Sequence, residues 1–215
     1  MGIFLNLLYP RKCVLCQRIL SRKEESLCHT CRSQIQPRPM GKHKLPHIVR
    51  WYALWEYQEP VPESIHRFKF RMRQSYAQEY AKLLAEELEG LDFPEPDMIS
   101  WVPISKKRRR SRGYDQAQLL AKSLSEEVDI PWVRTLHKIV NNPPQSTIRG
   151  DAQRRANVLG AYRVADANQI KDKKILLLDD VLTTGATAGE CARMLLTAGA
   201  KEVALVTVAA VPRMK

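Results

Sequence analysis

No stretch of the 215-residue chain holds the roughly 18 consecutive apolar residues that a membrane-spanning helix requires. The start, Met1 to Pro10, is apolar but short, with no basic lead and no small-residue cleavage site, so it makes a poor secretory signal. Asn6 stands where an N-myristoylation motif needs Ser or Thr. A cytoplasmic protein is expected, whose apolar start docks on its own body. No internal repeat or low-complexity tract interrupts the chain, and its length allows one domain plus a small appendage. Aromatic residues make up only 7%, so an extended platform for stacking bases is not expected.

What the chain has in excess is positive charge, a formal +12. That balance favours polyanionic partners such as nucleic acid; a generic basic surface is the plainer alternative. Four of the five cysteines stand in two pairs, Cys13-Val14-Leu15-Cys16 and Cys28-His29-Thr30-Cys31. Each pair can grip one ion with two thiolates, and two pairs complete a tetrahedral four-cysteine zinc site. The segment between them is polar and too short for its own core, so the metal would supply its folding energy. Two disulfides are the alternative, which a cytosolic setting disfavours. Four thiolates leave no open coordination position, so the zinc is expected to be structural, with His29 a bystander. Pro37, Pro39 and Gly41 then break the chain. We expect a zinc element over residues 1–40 and a main domain over 41–215, joined by a linker around 36–46.

In the main domain, β-formers from Ile48 to Tyr57 predict a first strand or hairpin arm. Arg67-Phe68-Lys69-Phe70-Arg71-Met72-Arg73 alternates basic with apolar residues, as an edge strand or turn would. Ala77, Tyr80, Ala81, Leu84 and Leu88 fall on one face of a helix over 76–88. Asp97 to Val102 reads as a strand stopped by Pro103. The loop expected after it, 104–113, holds six cations in seven residues: Lys106, Lys107, Arg108, Arg109, Arg110 and Arg112. Such a loop suits nucleic-acid phosphates, with a solvated basic loop as the alternative. Asp115 is placed to cap the next helix. A short strand over 135–140 and a polar loop over 141–150 follow, the latter of a kind often used as a lid.

The stretch with most chemistry is Lys174 to Thr187. Ile175 to Leu178 predict a strand buried on both faces, and Asp179 and Asp180 follow at once. Then come Thr183, Thr184, Gly185, Ala186 and Thr187, opening a helix. Hydroxyls, inward N–H groups and a helix N-terminus suit a phosphate, while the two carboxylates suit sugar hydroxyls. Together they describe a site for a sugar 5-phosphate beyond the carboxyl end of a strand. The helix carries Ala188, Cys191, Ala192 and Leu195 inward, with Cys191 a small core residue. Gly199 ends it, and Val203 to Ala209 form a second buried strand. Strand–helix–strand at this spacing predicts a parallel crossover, so the fold class is α/β, Rossmann-like with a parallel sheet.

The run Asp179 to Thr187 resembles the phosphoribosyl pyrophosphate (PRPP) signature of type I phosphoribosyltransferases. That likeness implies that Asp179 and Asp180 hold the ribose hydroxyls, directly or through Mg²⁺, and that residues 183–187 hold the 5-phosphate. It makes 106–112 the candidate pyrophosphate loop and 141–150 a flexible loop closing over PRPP. Two cysteine pairs, the run Arg112-Gly113-Tyr114-Asp115-Gln116-Ala117, the flexible-region residues Gln145, Arg154 and Asn157, and Gly160-Ala161-Tyr162 occur here in the order of the ComF family of competence proteins. Asp115 stands where most of that family carries Asn; either residue caps a helix. The resemblance covers essentially the whole chain. It implies a role in DNA uptake and natural transformation, binding of PRPP and single-stranded DNA, and a helicase-like partner of the ComFA type. An active transferase moving phosphoribose to an unidentified acceptor is the other reading. No general base is identifiable.

Overall fold

The sheet forms because its strands are apolar on both sides, which only a layer covered on each face can use. The computed structural model describes residues 10–35, 44–142 and 151–212. The apolar start, Gln145 and the side chain of Arg154 lie outside them. The chain runs through α1 (His29–Gln34), β1 (Trp51–Glu56), α2 (Val61–Phe70), α3 (Tyr76–Glu89), β2 (Met98–Trp101), α4 (Lys106–Arg112) and α5 (Gln116–Val128). It continues through β3 (Leu136–Lys138), α6 (Asp151–Val158), β4 (Tyr162–Val164), α7 (Ala167–Ile170), β5 (Lys174–Leu182), α8 (Ala186–Thr197) and β6 (Glu202–Ala210).

Four parallel strands lie in the order β1-β6-β5-β2, and β3 pairs antiparallel with β4 in a separate ribbon. Alternation along β5 divides the core. Leu176 and Leu178 join the cluster under α3 and α5, while Ile175 and Leu177 join the one under α8 and the ribbon. The α/β class and the parallel crossover from β5 through α8 to β6 are as expected.

Two stretches differ from expectation. The basic–apolar stretch from Arg67 belongs mostly to a helix, not an edge strand. Val61, Ile65 and Phe68 recur at helical spacing and are all buried, and Pro62 sits in the first turn, where its missing N–H costs nothing. The basic loop is also helical over Lys106–Arg112. The Ser105 hydroxyl caps it by accepting the Arg108 N–H at 3.4 Å, and Gly113, at φ 81°, closes it. Lys and Arg are good helix formers, and none of these residues is buried, so the helix presents cations all round.

The cysteine element is fastened to this body by hydrogen bonds. Cys13, Val14 and Leu15 pack into the cluster of Phe68, Tyr76 and Tyr80. Arg67, buried in α2, donates to the Val14 and Leu15 carbonyls and, at 3.2 Å, to the Tyr76 hydroxyl. Ser64 donates to the Val14 carbonyl at 2.5 Å, and Gln17 reaches Tyr76 at 2.5 Å. Val14 and Tyr76 have second donors, but the buried Leu15 carbonyl would lose its Arg67 partner away from water. Arg67→Ala is expected to lower unfolding free energy by about 2–4 kcal/mol in urea titrations. A loss below about 1 kcal/mol would remove Arg67 as the fastener.

Candidate functional site

The four cysteine sulfurs lie within 4.8 Å of one another, and the Cys16 and Cys28 Sγ atoms are 3.6 Å apart. A zinc ion with bonds of about 2.3 Å needs tetrahedral edges of about 3.8 Å, so Cys13, Cys16, Cys28 and Cys31 fit the metal. All four are free of disulfides. Cys28 also caps α1, its sulfur accepting the Cys31 N–H at 3.5 Å. Glu24 accepts the N–H groups of Ser21 (2.8 Å) and His29 (2.6 Å), which fixes the approach to the second pair. These hydrogen bonds hold its carboxyl below the usual range. The zinc site is structural: four thiolates fill the coordination shell.

At the other site the decisive feature is where β2 stops. The Val102 N–H still reaches the Leu178 carbonyl at 2.9 Å, and Pro103 then turns the chain away. β5 does not stop there, contrary to expectation. It runs on to Leu182, paired with β6 through Ala210, so the acidic pair lies inside the strand and not beyond it. Along this part its other edge is free of β2. Asp179 lies beside Thr207 in the ladder, and its Oδ1 accepts the Asp180 N–H at 2.8 Å. Burial, and then the neighbouring Asp180 charge, push the Asp179 carboxyl up to about 8. Asp180 is answered by a cation: Lys69 Nζ stands 2.7 Å from its Oδ1, with both side chains mostly buried.

Other groups converge on this edge. Lys138 from β3 donates to the Tyr162 hydroxyl of β4 at 3.1 Å. Burial lowers the Lys138 ammonium, and the Arg108 charge lowers it further while Asp179 opposes the shift. Asp115 caps α5, accepting the N–H groups of Ile104 (3.1 Å) and Gln118 (3.3 Å). Burial still raises its carboxyl, and the Asp180 charge adds to that. Arg108 is half-buried and donates to the Asn142 carbonyl at 3.0 Å, so the cationic helix is tied to the start of the 141–150 segment. Asn142 in turn donates to the Asn157 carbonyl of α6.

Beyond β5 the loop of Thr183 and Thr184 turns at Gly185, whose φ is 78°. A Cβ there would sit 2.7 Å from the buried Leu45 side chain, so glycine is required by both conformation and space. Ala186 and Thr187 open α8, and the Ala186 N–H reaches the Thr184 hydroxyl at 3.4 Å. Glu190, buried in α8, accepts the Gly160 N–H at 3.0 Å and pairs with Arg193 at 2.8 Å. That bond ties the Gly160–Tyr162 stretch to the helix that starts at the loop. Cys191 is buried in the core, as expected.

Beside the cationic helix lies a cavity of about 470 Å³. Trp101 forms one wall, and Lys106, Lys107, Arg109, Arg134 and Arg163 also line it. The Arg134 guanidinium lies 5.6 Å from the Trp101 ring centre, and Trp132 is 5.5 Å from Trp101. Lys69, Lys138 and Arg134 were missed by sequence reasoning. Lys69 stood in a stretch visibly rich in cations but of unknown direction; nothing in a three-residue strand marks Lys138. Among the described residues, no helix is long and apolar enough to cross a membrane.

The raised Asp179 carboxyl has a consequence for stability. Its folded value of about 8 lies above the unfolded 3.8, so the native state holds the extra proton between them. Stability of the ligand-free protein should therefore fall as pH rises from about 4 to 8. Asp179→Asn is expected to raise Tm at pH 8 and flatten that decline, read by calorimetric melts. An unchanged pH slope would show that Asp179 is ionised throughout.

Comparison with known proteins bears on the fold and on the zinc element. Residues 4–43 match the double zinc ribbon domain model, and residues 111–215 match the phosphoribosyl transferase domain model. Competence protein F of Haemophilus influenzae is 29% identical, over 89% of this chain and 93% of its own length. The DNA utilization protein YhgH of Salmonella typhi is 27% identical over 90% and 94%. Competence protein ComFC of Bacillus subtilis is 25% identical over 84% and 82%. With a four-cysteine element preceding a domain of phosphoribosyltransferase type, the chain is similar over most of its length to competence proteins of the ComF type.

Proposed function

We propose that this protein binds PRPP at Asp179 and Asp180 and single-stranded DNA along its cationic helix, and acts in DNA uptake and natural transformation. One observation carries the reading. Two consecutive carboxylates, Asp179 and Asp180, stand in β5 just past its pairing with β2; β5 runs on into a glycine-turned helix N-terminus, and β2 is followed by a helix of cations. Sugar hydroxyls suit the carboxylates, the 5-phosphate suits Thr183 to Thr187, and pyrophosphate suits Lys106 to Arg112. The arrangement also suits a Mg²⁺ ion, a hard cation that adjacent carboxylates can hold. Asp179 and Asp180 would hold the ion, whose chemistry there would be to offset the charge of the pyrophosphate. Gln145, Arg154 and Asn157 are the proposed closing contacts, the last two carried by α6.

The relatives named for competence and DNA utilization support the process, and the +12 charge supports a polyanionic partner. Trp101 is buried against Arg134 and Trp132, so the cavity offers phosphates its cations, Lys106 and Lys107 among them, and no continuous stacking platform.

Turnover is the second reading, favoured by Asp179. Once ligand binding has displaced its proton, a carboxylate whose value lies near 8 is a stronger base than an ordinary one and can take a proton from an acceptor. The acceptor would then form a bond to the anomeric carbon as its bond to pyrophosphate breaks. The electron pair and charge would leave on pyrophosphate, toward the cations of α4.

Asp179→Asn with Asp180→Asn is expected to abolish PRPP·Mg²⁺ binding in calorimetry while the circular dichroism spectrum stays unchanged. If binding needs the ionised form, the wild type should release close to one proton per PRPP at pH 7, read from buffers of different ionisation enthalpy. Undiminished affinity in the double variant would refute the site. Incubation with labelled PRPP and candidate acceptors, DNA included, separates enzyme from binder by pyrophosphate release. Serine at Lys106 to Arg110 should weaken single-stranded DNA binding and flatten its salt slope by roughly 3.5, given about five phosphate contacts. A matching affinity and slope would clear the helix of that role.

A further inference from the structure

At the far end of α5 the surface changes sign. The helix starts at Asp115, beside the acidic pair, and ends at Val128, about 20 Å away at 1.5 Å per residue. There its last turn meets the last turn of α3 and the chain from Phe93 to Pro96 around a groove of about 640 Å³. Leu124 and Leu176 are buried beneath it, and Leu88, Phe93, Val128 and Ile130 lie half-buried along it. Its rim carries Glu25, Glu86, Glu89, Glu95 and Glu127, all exposed, against one cation, Lys82. In a chain of net charge +12, that grouping does not follow from composition.

The acids are also badly placed for the helices that bear them. A helix C-terminus carries partial negative charge and is stabilised by cations. α3 ends in Glu86, Glu87 and Glu89, and α5 in Glu126 and Glu127; neither has a basic residue in its last turn. Arg32 approaches Glu86 only at 3.7 Å, with both side chains half-exposed. Two negative helix ends and five carboxylates thus share one apolar groove.

We propose that this groove docks a cationic amphipathic segment of a partner protein. Its apolar side lies on Leu88, Phe93, Val128 and Ile130, and its Lys and Arg side chains meet the glutamates. The occupant supplies the cations both helix ends lack. The rest of the basic surface repels it, so encounters are steered to this end. The same field keeps polyanions away from the groove, and the proposal is independent of what binds at Asp179 and Asp180.

The full-length protein is titrated, by fluorescence anisotropy, with a labelled synthetic helix of Leu and Lys at i, i+3, i+4 spacing. A scrambled peptide of the same composition is the control. The amphipathic peptide should bind about tenfold more tightly than the scrambled one, and the variant Glu86→Gln, Glu89→Gln, Glu127→Gln should lose about tenfold, near 1.4 kcal/mol. Glu59→Gln with Glu202→Gln, outside the groove, should change nothing. The triple variant should also melt about 2–4 °C higher, because it removes charge that the helix ends disfavour. Equal affinity of the triple variant and the wild type would overturn the proposal, and so would a lower Tm, which would mark the glutamates as structural. A salt-sensitive dimer in sedimentation velocity that the triple variant abolishes would also overturn it, by assigning the groove to a second copy of this chain.

Discussion

Two neighbouring carboxylates on a central strand, at an edge that another strand has just left, are the constraint around which this fold is arranged. Like charges this close cannot both stay ionised in a partly dehydrated place without help. The structure answers each differently. Asp179 keeps its proton up to about pH 8, and Asp180 takes the Lys69 ammonium at 2.7 Å. Both answers are reversible. A ligand with a divalent cation can displace the proton, and a polar ligand can compete for the ion pair. The site is therefore destabilising in the ligand-free fold and ready to be stabilised by what it binds, a common arrangement where function needs charge in a poor solvent.

The position of Lys69 follows from the same helix that fastens the zinc element. In α2, Arg67 turns inward to the Val14 and Leu15 carbonyls, and Lys69, two residues on, reaches Asp180. The Tyr114 hydroxyl donates to the Phe68 carbonyl between them. The cysteine element thus contributes more than its own local stability. Its backbone supplies the acceptors that hold Arg67, and the helix so held delivers the counter-charge of the acidic pair. In a metal-free chain the first cysteine pair would lose its geometry, and Arg67 would lose two backbone acceptors while keeping Glu63 and Tyr76.

The zinc ligands, both buried strands, the helix after the glycine turn and the Asp115 cap were legible because each depends on local pattern. Cysteine spacing, apolar runs and cap residues carry their meaning within a few positions. The errors came where tertiary context decides. Alternation from Arg67 to Arg73 looked like a strand, yet its helical face is set by Val61 and Ile65 upstream. Six cations looked like a loop because their charge hid the Ser105 cap and the Gly113 stop. The strand carrying the acids was cut short because apolar content stops at Leu178, whereas pairing with β6 continues to Leu182. Lys138 and Tyr162 reach the site from a separate ribbon, and no sequence period links that ribbon to β5.

Charge along the molecule is distributed by end, not evenly. At the carboxyl end of the sheet, Lys69 pairs with Asp180, Lys138 feels the Asp179 charge, and the cations of α4 follow β2; at the amino end, helix termini and glutamates share one apolar groove. Helix dipoles sharpen the contrast. α5 brings its N-terminus, with partial positive charge, to the first end and its C-terminus to the second. Parallel strands with antiparallel helices produce this polarity whatever the side chains, so the placement of Arg at one end and Glu at the other amplifies a field the fold already has. The proposed polyanion and the proposed cationic segment would then meet opposite ends of one small chain, each directed away from the other's site by the same electrostatics.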